Sequence, residues 1–208
     1  SSRIPQMIID DLGIANVKMF ISQPRRIAAT SLRSRVSNEI KATMLKKEKR
    51  NYKSEIMSNV DSIVGLRMGH GVKTVDTKST RIWFCTTGYL VLLAAHHPEV
   101  FKDHTHLIID EIHERSVDTD LLCYIAKDLM QQHPHLKLIL MSATLAADTY
   151  CEYFGVHLPA LFVGSRRCPL KEFYLSDLIH KKSDVQLSST LEKLVEKLIQ
   201  KFVKHSAL

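Results

Sequence analysis

The sequence predicts an α/β fold in which a mainly parallel β-sheet is covered by helices on both faces. Short apolar segments of strand type alternate with longer helix-like segments, which is typical of parallel strands joined by crossovers. The segment Leu107–Ile109 is apolar without alternation, as expected for a central strand buried on both sides. Polar residues follow the carboxyl ends of several strands, where ligands bind in such sheets.

Apolar spacing and helix-ending residues set the predicted boundaries. The first helix has apolar residues at helical spacing and Gly13 at its expected C-cap, and the second has the pattern of a long amphipathic helix. Two later helices end at His97-Pro98 and His133-Pro134, because proline cannot continue a helix. The predicted helices are Ile4–Leu12, Ile27–Thr43, Gly88–His97, Asp118–Gln132 and Ala146–Phe154, and the predicted strands are Val17–Ser22, Ser62–Met68, Arg81–Cys85, Leu107–Asp110, Leu136–Met141, Leu161–Val163 and Lys171–Leu175.

A final helix is predicted near the carboxyl terminus. It has one apolar stripe with charged residues opposite, and a serine or threonine at 188–190 could cap its start. We expect this helix to pack on the domain as a terminal helix, or to lead onward as a linker. The stripe consists of Leu191, Leu194, Val195, Leu198, Ile199, Phe202 and Val203.

Composition and charge restrict the class of protein. The 208 residues are 45% hydrophobic and 25% charged, which is ordinary for a globular domain, and no apolar run is long enough to span a bilayer. No signal peptide is visible, and four widely spaced cysteines fit a reducing, intracellular compartment, without distinguishing cytoplasm from nucleus. The net charge of +7 favours anionic partners such as nucleic acid, although the basic run 46–53 is more simply a solvated surface. The histidines lack partners at ligand spacing, so no histidine metal site is expected.

Two adjacent carboxylates close the most apolar predicted strand. Asp110 is suited to hold Mg²⁺, because this cation prefers oxygen ligands and keeps several waters. Glu111 is suited to orient and deprotonate an attacking water as a general base. Considered alone, the pair could equally be a surface turn after a strand.

Four segments with polar residues follow one another along the chain, at Ser22–Ala29, Thr86–Leu90, Asp110–Arg115 and Ser142–Thr144. Together they resemble the DExH/DEAH family of RNA helicases, and the resemblance extends from Ser1 to at least Asp177. The D-E-I-H spelling and the P-R-R sequence are similar to the cellular DEAH/RHA-type members of superfamily 2. The resemblance implies a RecA-like parallel sheet of the P-loop NTPase type. Its motifs occur in the family's order: motif Ia at Ser22–Ala29, an RNA-side motif at Thr86–Leu90, motif II at Asp110–Arg115, motif III at Ser142–Thr144, and the segments Tyr153–Gly155 and Cys168–Leu170.

The resemblance implies a Mg-ATP site. Asp110 and the hydroxyl of Ser1 would contact Mg²⁺, and Ser2 would follow Ser1 in the phosphate loop. Glu111 would position the hydrolytic water. Arg35 lies where family members place an arginine that stacks on the nucleotide base.

Further residues are implied to couple this site to the rest of a helicase. His113 would report the nucleotide state to motif III, which comprises Ser142, Ala143 and Thr144, and to a second RecA-like domain of the same polypeptide. Simple capping of the next helix is the alternative role for the serine and threonine.

RNA contacts are implied for motif Ia and for the next motif. Arg25 and Arg26 can make bidentate, charge-assisted contacts with phosphate. Thr86 and Thr87 precede the helix predicted to begin at Gly88, whose first amides form an anion site. Such contacts grip the RNA backbone without reading its sequence.

The resemblance also implies domain boundaries. Residues 1–178 would form the first RecA-like domain, and residues 179–208 a linker or terminal helix toward the second. Ser1–Gln6 resembles the end of the phosphate loop, so its glycines and lysine, and the strand before it, are expected upstream. These 208 residues alone are therefore expected to bind ATP very weakly and not to hydrolyse it.

The resemblance implies that the full-length protein is an ATP-dependent RNA helicase. In it, Mg-ATP hydrolysis would be coupled to unwinding or remodelling of single-stranded or structured RNA. The alternatives are a catalytically silent helicase-like RNA-binding or scaffold module, and a DNA helicase with the same mechanism. The RNA target, the pathway and the accessory domains are not predicted.

Overall fold

The computed structural model describes residues 2–47, 62–69, 71–143, 147–157, 159–164, 193 and 196. The helices are α1 (Arg3–Leu12), α2 (Arg26–Lys47), α3 (Thr87–His96), α4 (Val117–Gln132) and α5 (Ala147–Phe154). The strands are β1 (Met19–Gln23), β2 (Val64–Arg67), β3 (Lys73–Thr74), β4 (Ile82–Thr86), β5 (His106–Ile109) and β6 (Lys137–Leu140). Within the described ranges, 3₁₀ segments lie at Ile14–Asn16, Pro98–Asp103 and Ile112–Glu114.

The six strands form one sheet in the order β3-β2-β4-β1-β5-β6. The neighbouring pairs among β2, β4, β1, β5 and β6 are all parallel, whereas β3 runs antiparallel to β2. Each parallel connection among the described residues crosses over through a helix or a longer segment, as parallel pairing requires. The predicted α/β fold with a mainly parallel sheet is confirmed.

Helices cover both faces of the sheet because the central strands are apolar on both sides. Neighbouring residues of β1 illustrate this, since Phe20 and Ile21 point to opposite faces and both are fully buried. On one face, Ile21 packs in a cluster with residues of α1 and α2, such as Ile8 and Val36. On the other face, Phe20 packs with residues of α3 and α4, such as Leu90.

The predicted boundaries differ from the observed ones by at most four residues wherever a predicted element exists among the described residues. The predicted strand Leu161–Val163 is wrong, because these residues belong to no strand in the structure. Strand β3 was not predicted. The predicted strand at 171–175 and the final helix lie outside the described residues, apart from Lys193 and Glu196, which are helical. None of the described helices has the length and apolar character needed to cross a membrane.

A cluster of aromatic rings fills the α3 side of the sheet. His104 stacks on Phe20 with ring centroids 4.1 Å apart, and Trp83 and Phe101 lie 5.6 and 5.4 Å from the same Phe20 ring. The Nδ1 atom of His104 contacts the carbonyl of Val100 at 2.8 Å, while its buried Nε2 has no hydrogen-bond partner in the described parts of the chain. Burial therefore lowers the pKa of His104 to about 4.

Acid should destabilise the fold through His104. Its folded-state pKa is below the unfolded value of 6.5, so the unfolded chain binds more protons as the pH falls below 6.5. Stability is then lost progressively between pH 6.5 and about 4, by roughly 3 kcal/mol in total for a shift of this size. His104→Phe should reduce the drop in melting temperature between pH 7 and pH 5 measured by differential scanning fluorimetry. An equal drop in both proteins would contradict the assignment.

Candidate functional site

The polar segments predicted to carry function gather at one edge of the sheet. Strands β1, β4, β5 and β6 are parallel, so their carboxyl ends point the same way. The register pairs Ser22 with both Cys85 and Ile109, and pairs Ile109 with Leu140. The residues that follow these strands are therefore brought together, namely Pro24–Arg26, Thr87–Gly88, Asp110–His113 and Met141–Ala143.

Asp110 is a buried carboxylate, and among the described residues each of its two oxygens accepts one hydrogen bond. Asp110 is only 4% exposed to solvent. Gln23 Nε2 donates to Asp110 Oδ2 at 2.6 Å, and the backbone N–H of Glu111 donates to Oδ1 at 3.0 Å. Each oxygen retains a further lone pair, so the carboxylate can still accept a water or contact a cation.

Glu111 has a left-handed backbone, with φ 57° and ψ 37°. This conformation is unfavourable for residues other than glycine and costs on the order of 1–3 kcal/mol, and such strain is concentrated at functional sites. Glu111 caps the 3₁₀ turn Ile112–Glu114, and Arg115 at the other end of the turn is also left-handed, with φ 48°. The Glu111 side chain is 38% exposed, so its carboxylate is accessible to a substrate.

The turn Ile112–Glu114 is fastened to the end of β6 and to α5. Ile112 donates its backbone N–H to the Met141 carbonyl at 3.1 Å, and the Tyr150 hydroxyl donates to the Ile112 carbonyl at 2.9 Å. The backbone N–H of Ala143 donates to His113 Nδ1 at 3.2 Å. Accepting this bond requires Nδ1 to be unprotonated, so the neutral ring carries its proton on Nε2.

A second group lies close to the same nitrogen. Glu111 Oε2 is 3.4 Å from His113 Nδ1. One ring nitrogen cannot accept a hydrogen bond from Ala143 and donate one to Glu111 at the same time. His113 Nδ1 therefore has two alternative partners, the Glu111 carboxylate and the backbone N–H of Ala143 after β6.

The arginines after β1 lie at the surface. Both Arg25 and Arg26 are exposed, and Arg25 Nη2 forms an ion pair with Glu114 Oε1 at 3.0 Å. This contact joins the loop after β1 to the turn after β5.

The residues at the start of α3 are less open than the sequence suggested. Thr86 is the N-cap residue of α3, while Thr87 is buried and its hydroxyl is hydrogen-bonded to that of Ser22 at 2.9 Å. A side chain on Gly88 would come within 2.9 Å of the Asp118 carboxylate. The Thr87 hydroxyl is therefore engaged inside the fold, and Gly88 lies against a carboxylate.

Arg35 and Ser2 belong to one hydrogen-bonded network between α1 and α2. Arg35 Nε donates to Glu39 Oε1 at 2.8 Å, and Gln6 Nε2 donates both to Glu39 and to the Ser2 carbonyl. The hydrogen bonds from Arg35 and then Gln6 hold the pKa of Glu39 below its ordinary value. Arg35 is thus connected to the amino-terminal end of α1.

Comparison with known proteins gives a consistent family. No protein-family model matches the chain. It is 33% identical over 86% of its length to the mouse ATP-dependent RNA helicase DHX29, covering 12% of that protein. It is 33% identical to the DExH-box ATP-dependent RNA helicases DExH1 and DExH2 of Arabidopsis thaliana, over 87% and 86% of the chain, covering 17% and 10% of those proteins. The chain belongs to the DExH-box helicase family.

In this DExH-box chain the sheet has the RecA-like α/β arrangement that the resemblance implied. The chain spans about an eighth of the length of the curated relatives it matches. Motif II at Asp110–Arg115 and the start of motif III are in direct contact, through the bond between His113 and Ala143. Ser142 is exposed beside this contact, whereas Ser1 and Thr144 lie outside the described residues.

Three residues at the DExH-box site were not assigned a role from sequence. Gln23 holds Asp110, Glu114 pairs with Arg25, and Tyr150 fastens the motif II turn. Only Gln23 had a usable signal, because a polar side chain that ends a fully buried strand requires a hydrogen-bonding partner.

Proposed function

We propose that the full-length protein hydrolyses Mg-ATP and uses the reaction to unwind or remodel RNA. The observation that carries this proposal is the arrangement at the edge of the sheet. A buried, oriented Asp110 lies beside an accessible Glu111, and the next residue but one, His113, contacts motif III. Relatives named as ATP-dependent RNA helicases support it, although their names describe those proteins.

The donor set fits magnesium bound together with a nucleotide. Within the described ranges, no group of three or more His, Cys, Asp or Glu side chains converges on a common metal position. A single buried carboxylate with spare lone pairs matches Mg²⁺, which usually takes one or two carboxylates plus substrate phosphates. Asp110 would hold the ion, together with the hydroxyl of Ser1, and the bound ion would neutralise charge on the phosphates.

Glu111 would act on the attacking water. Its carboxylate is accessible while its backbone is fixed by the turn that follows, so the side chain is presented from a defined position. The Glu111 carboxylate would accept the proton of a water molecule aligned with the terminal phosphate of ATP. His113 would then move between its two acceptor and donor arrangements, and so link this step to motif III and to a second RecA-like domain.

The nucleotide base and the RNA would lie at different parts of the domain. Arg35 would stack on the base, and its hydrogen bond to Glu39, which also contacts Gln6 near Ser2, supports a place for the nucleotide beside the start of α1. Arg25 and Arg26 would grip RNA phosphates, with backbone amides at Thr87–Gly88 contributing a further anion contact.

The proposal is tested with the full-length protein. Phosphate release from ATP should require Mg²⁺ and should increase when single-stranded RNA is added, and a duplex with an RNA overhang should be separated. The same duplex with a DNA overhang distinguishes an RNA helicase from a DNA helicase. RNA binding without any ATP turnover would contradict the proposal and favour a catalytically silent RNA-binding module.

A further inference from the structure

The ion pair between Arg25 and Glu114 joins two segments that the proposed function separates. The two residues are 89 positions apart in the chain and their side chains meet at 3.0 Å. Arg25 belongs to the RNA side of the site, whereas Glu114 ends the turn that begins beside Glu111. The Arg25 side chain is 75% exposed and that of Glu114 is 29% exposed, so the pair is accessible from solvent.

An RNA phosphate and the Glu114 carboxylate would compete for Arg25. Both are anions, and both accept hydrogen bonds from the same guanidinium. An ion pair this exposed is worth only about 0–1 kcal/mol, so a phosphate can displace it. The carboxylate also places a negative charge next to the expected path of the RNA backbone.

Release of Glu114 would affect the ATP site, because only a short turn joins Glu114 to Glu111. The backbone N–H of Glu114 donates to the Glu111 carbonyl at 3.0 Å, so the two glutamates close the same turn. Among the described residues, the turn is also hydrogen-bonded to Met141, Ala143 and Tyr150, and Ile112 packs in the core. A change at its Glu114 end can therefore alter the position of Glu111 relative to motif III.

We propose that Glu114 is a positioning residue that couples RNA binding to the ATP site. It holds Arg25 when RNA is absent, and RNA displaces it and frees the motif II turn. This inference rests on the proposed function and adds to it a particular contact through which the two ligands communicate.

The test is a double-mutant cycle in the full-length protein with Arg25→Gln, Glu114→Gln and both together. Binding of a fluorescein-labelled oligouridine is measured by anisotropy at low salt, where exposed charges are least screened. Glu114→Gln alone should strengthen RNA binding without nucleotide by about two- to fivefold, which corresponds to the loss of one exposed ion pair. In the Arg25→Gln background the effect should be clearly smaller, because only the repulsion between Glu114 and the RNA phosphates is then removed.

A second measurement separates coupling from local structure. The ratio of RNA dissociation constants with and without a Mg²⁺-bound non-hydrolysable ATP analogue reports communication between the two ligands. Glu114→Gln should bring this ratio closer to one. Asp103→Asn is the control, because it likewise removes one carboxylate from an exposed ion pair, with Lys18 at 3.9 Å, and it lies just before β5 rather than at the turn after it. It should leave both the affinity and the ratio unchanged.

Three results would overturn the inference alone. RNA binding could be unchanged or weaker in Glu114→Gln, or strengthened equally when Arg25 is absent, or the nucleotide ratio could stay at its wild-type value. Each presupposes a wild-type protein that binds RNA and hydrolyses ATP. A wild-type protein that does neither would overturn the proposed function, and this inference with it.

Discussion

Glu111→Gln should lower ATP turnover of the full-length protein by about 10²–10⁴-fold while leaving ATP binding intact, since this is the usual contribution of a general base. Glutamine has nearly the same shape and can still hydrogen-bond a water, but it cannot take up the proton. Asp110 and its bond from Gln23 remain, so the contacts expected for magnesium are unaffected. Turnover is measured by phosphate release, and binding by the change in fluorescence of a labelled ATP analogue.

The control for this experiment is Glu99→Gln. Glu99 is an exposed carboxylate far along the chain from Glu111, and its only role in the structure described is an ion pair with His97 at the surface, so its loss should not change turnover. Near-normal turnover in Glu111→Gln would remove Glu111 from the role of base. Loss of both turnover and ATP binding would instead indicate that Glu111 supports the site structurally.

Phe20→Ala should destabilise the domain by about 3–5 kcal/mol, the usual cost of deleting a buried aromatic ring. Phe20 is fully buried in a central strand, and its ring contacts those of Trp83, Phe101 and His104. The loss leaves a cavity on the α3 side of the sheet that the stiff neighbouring strands cannot close. Urea unfolding followed by the fluorescence of Trp83, the chain's single tryptophan, measures the change in the free energy of unfolding.

Tyr124→Ala serves as the comparison, because Tyr124 is an aromatic residue that is 68% exposed on α4. It should change the free energy of unfolding by less than about 0.5 kcal/mol. A loss of similar size in both variants would mean that the ring cluster around Phe20 does not hold the sheet together.

Most of the fold was predictable because its strands are apolar on both sides. In segments such as Leu107–Ile109, the unbroken run of apolar residues is enough to predict burial. The edge strand Lys73–Thr74 could not be predicted in this way, because it is short and exposed. It is recognisable only by its pairing with β2. The prediction of a strand at Leu161–Val163 was wrong for the opposite reason. These residues are apolar, but apolar composition does not supply a neighbouring strand with which to pair.

The candidate site was predictable in its members more than in its contacts. Parallel strands bring the segments containing Asp110 and Ala143 to one edge, so their meeting followed from topology. The bonds from Gln23 to Asp110 and from Arg25 to Glu114 join residues 87 and 89 positions apart, and only the register of the sheet decides them. Burial of Thr87 against Ser22 was hidden for the same reason.

The left-handed backbone at Glu111 sets stability against activity at a single position. Glycine would adopt φ 57° without steric cost, and asparagine would tolerate it better than glutamate does. Neither could serve as the base that we propose Glu111 to be, so the residue that the proposed reaction requires is one of the less suitable residues for this backbone conformation. Selection for thermal stability alone would favour replacing Glu111. Such a variant would lose the proposed ATP hydrolysis while remaining folded.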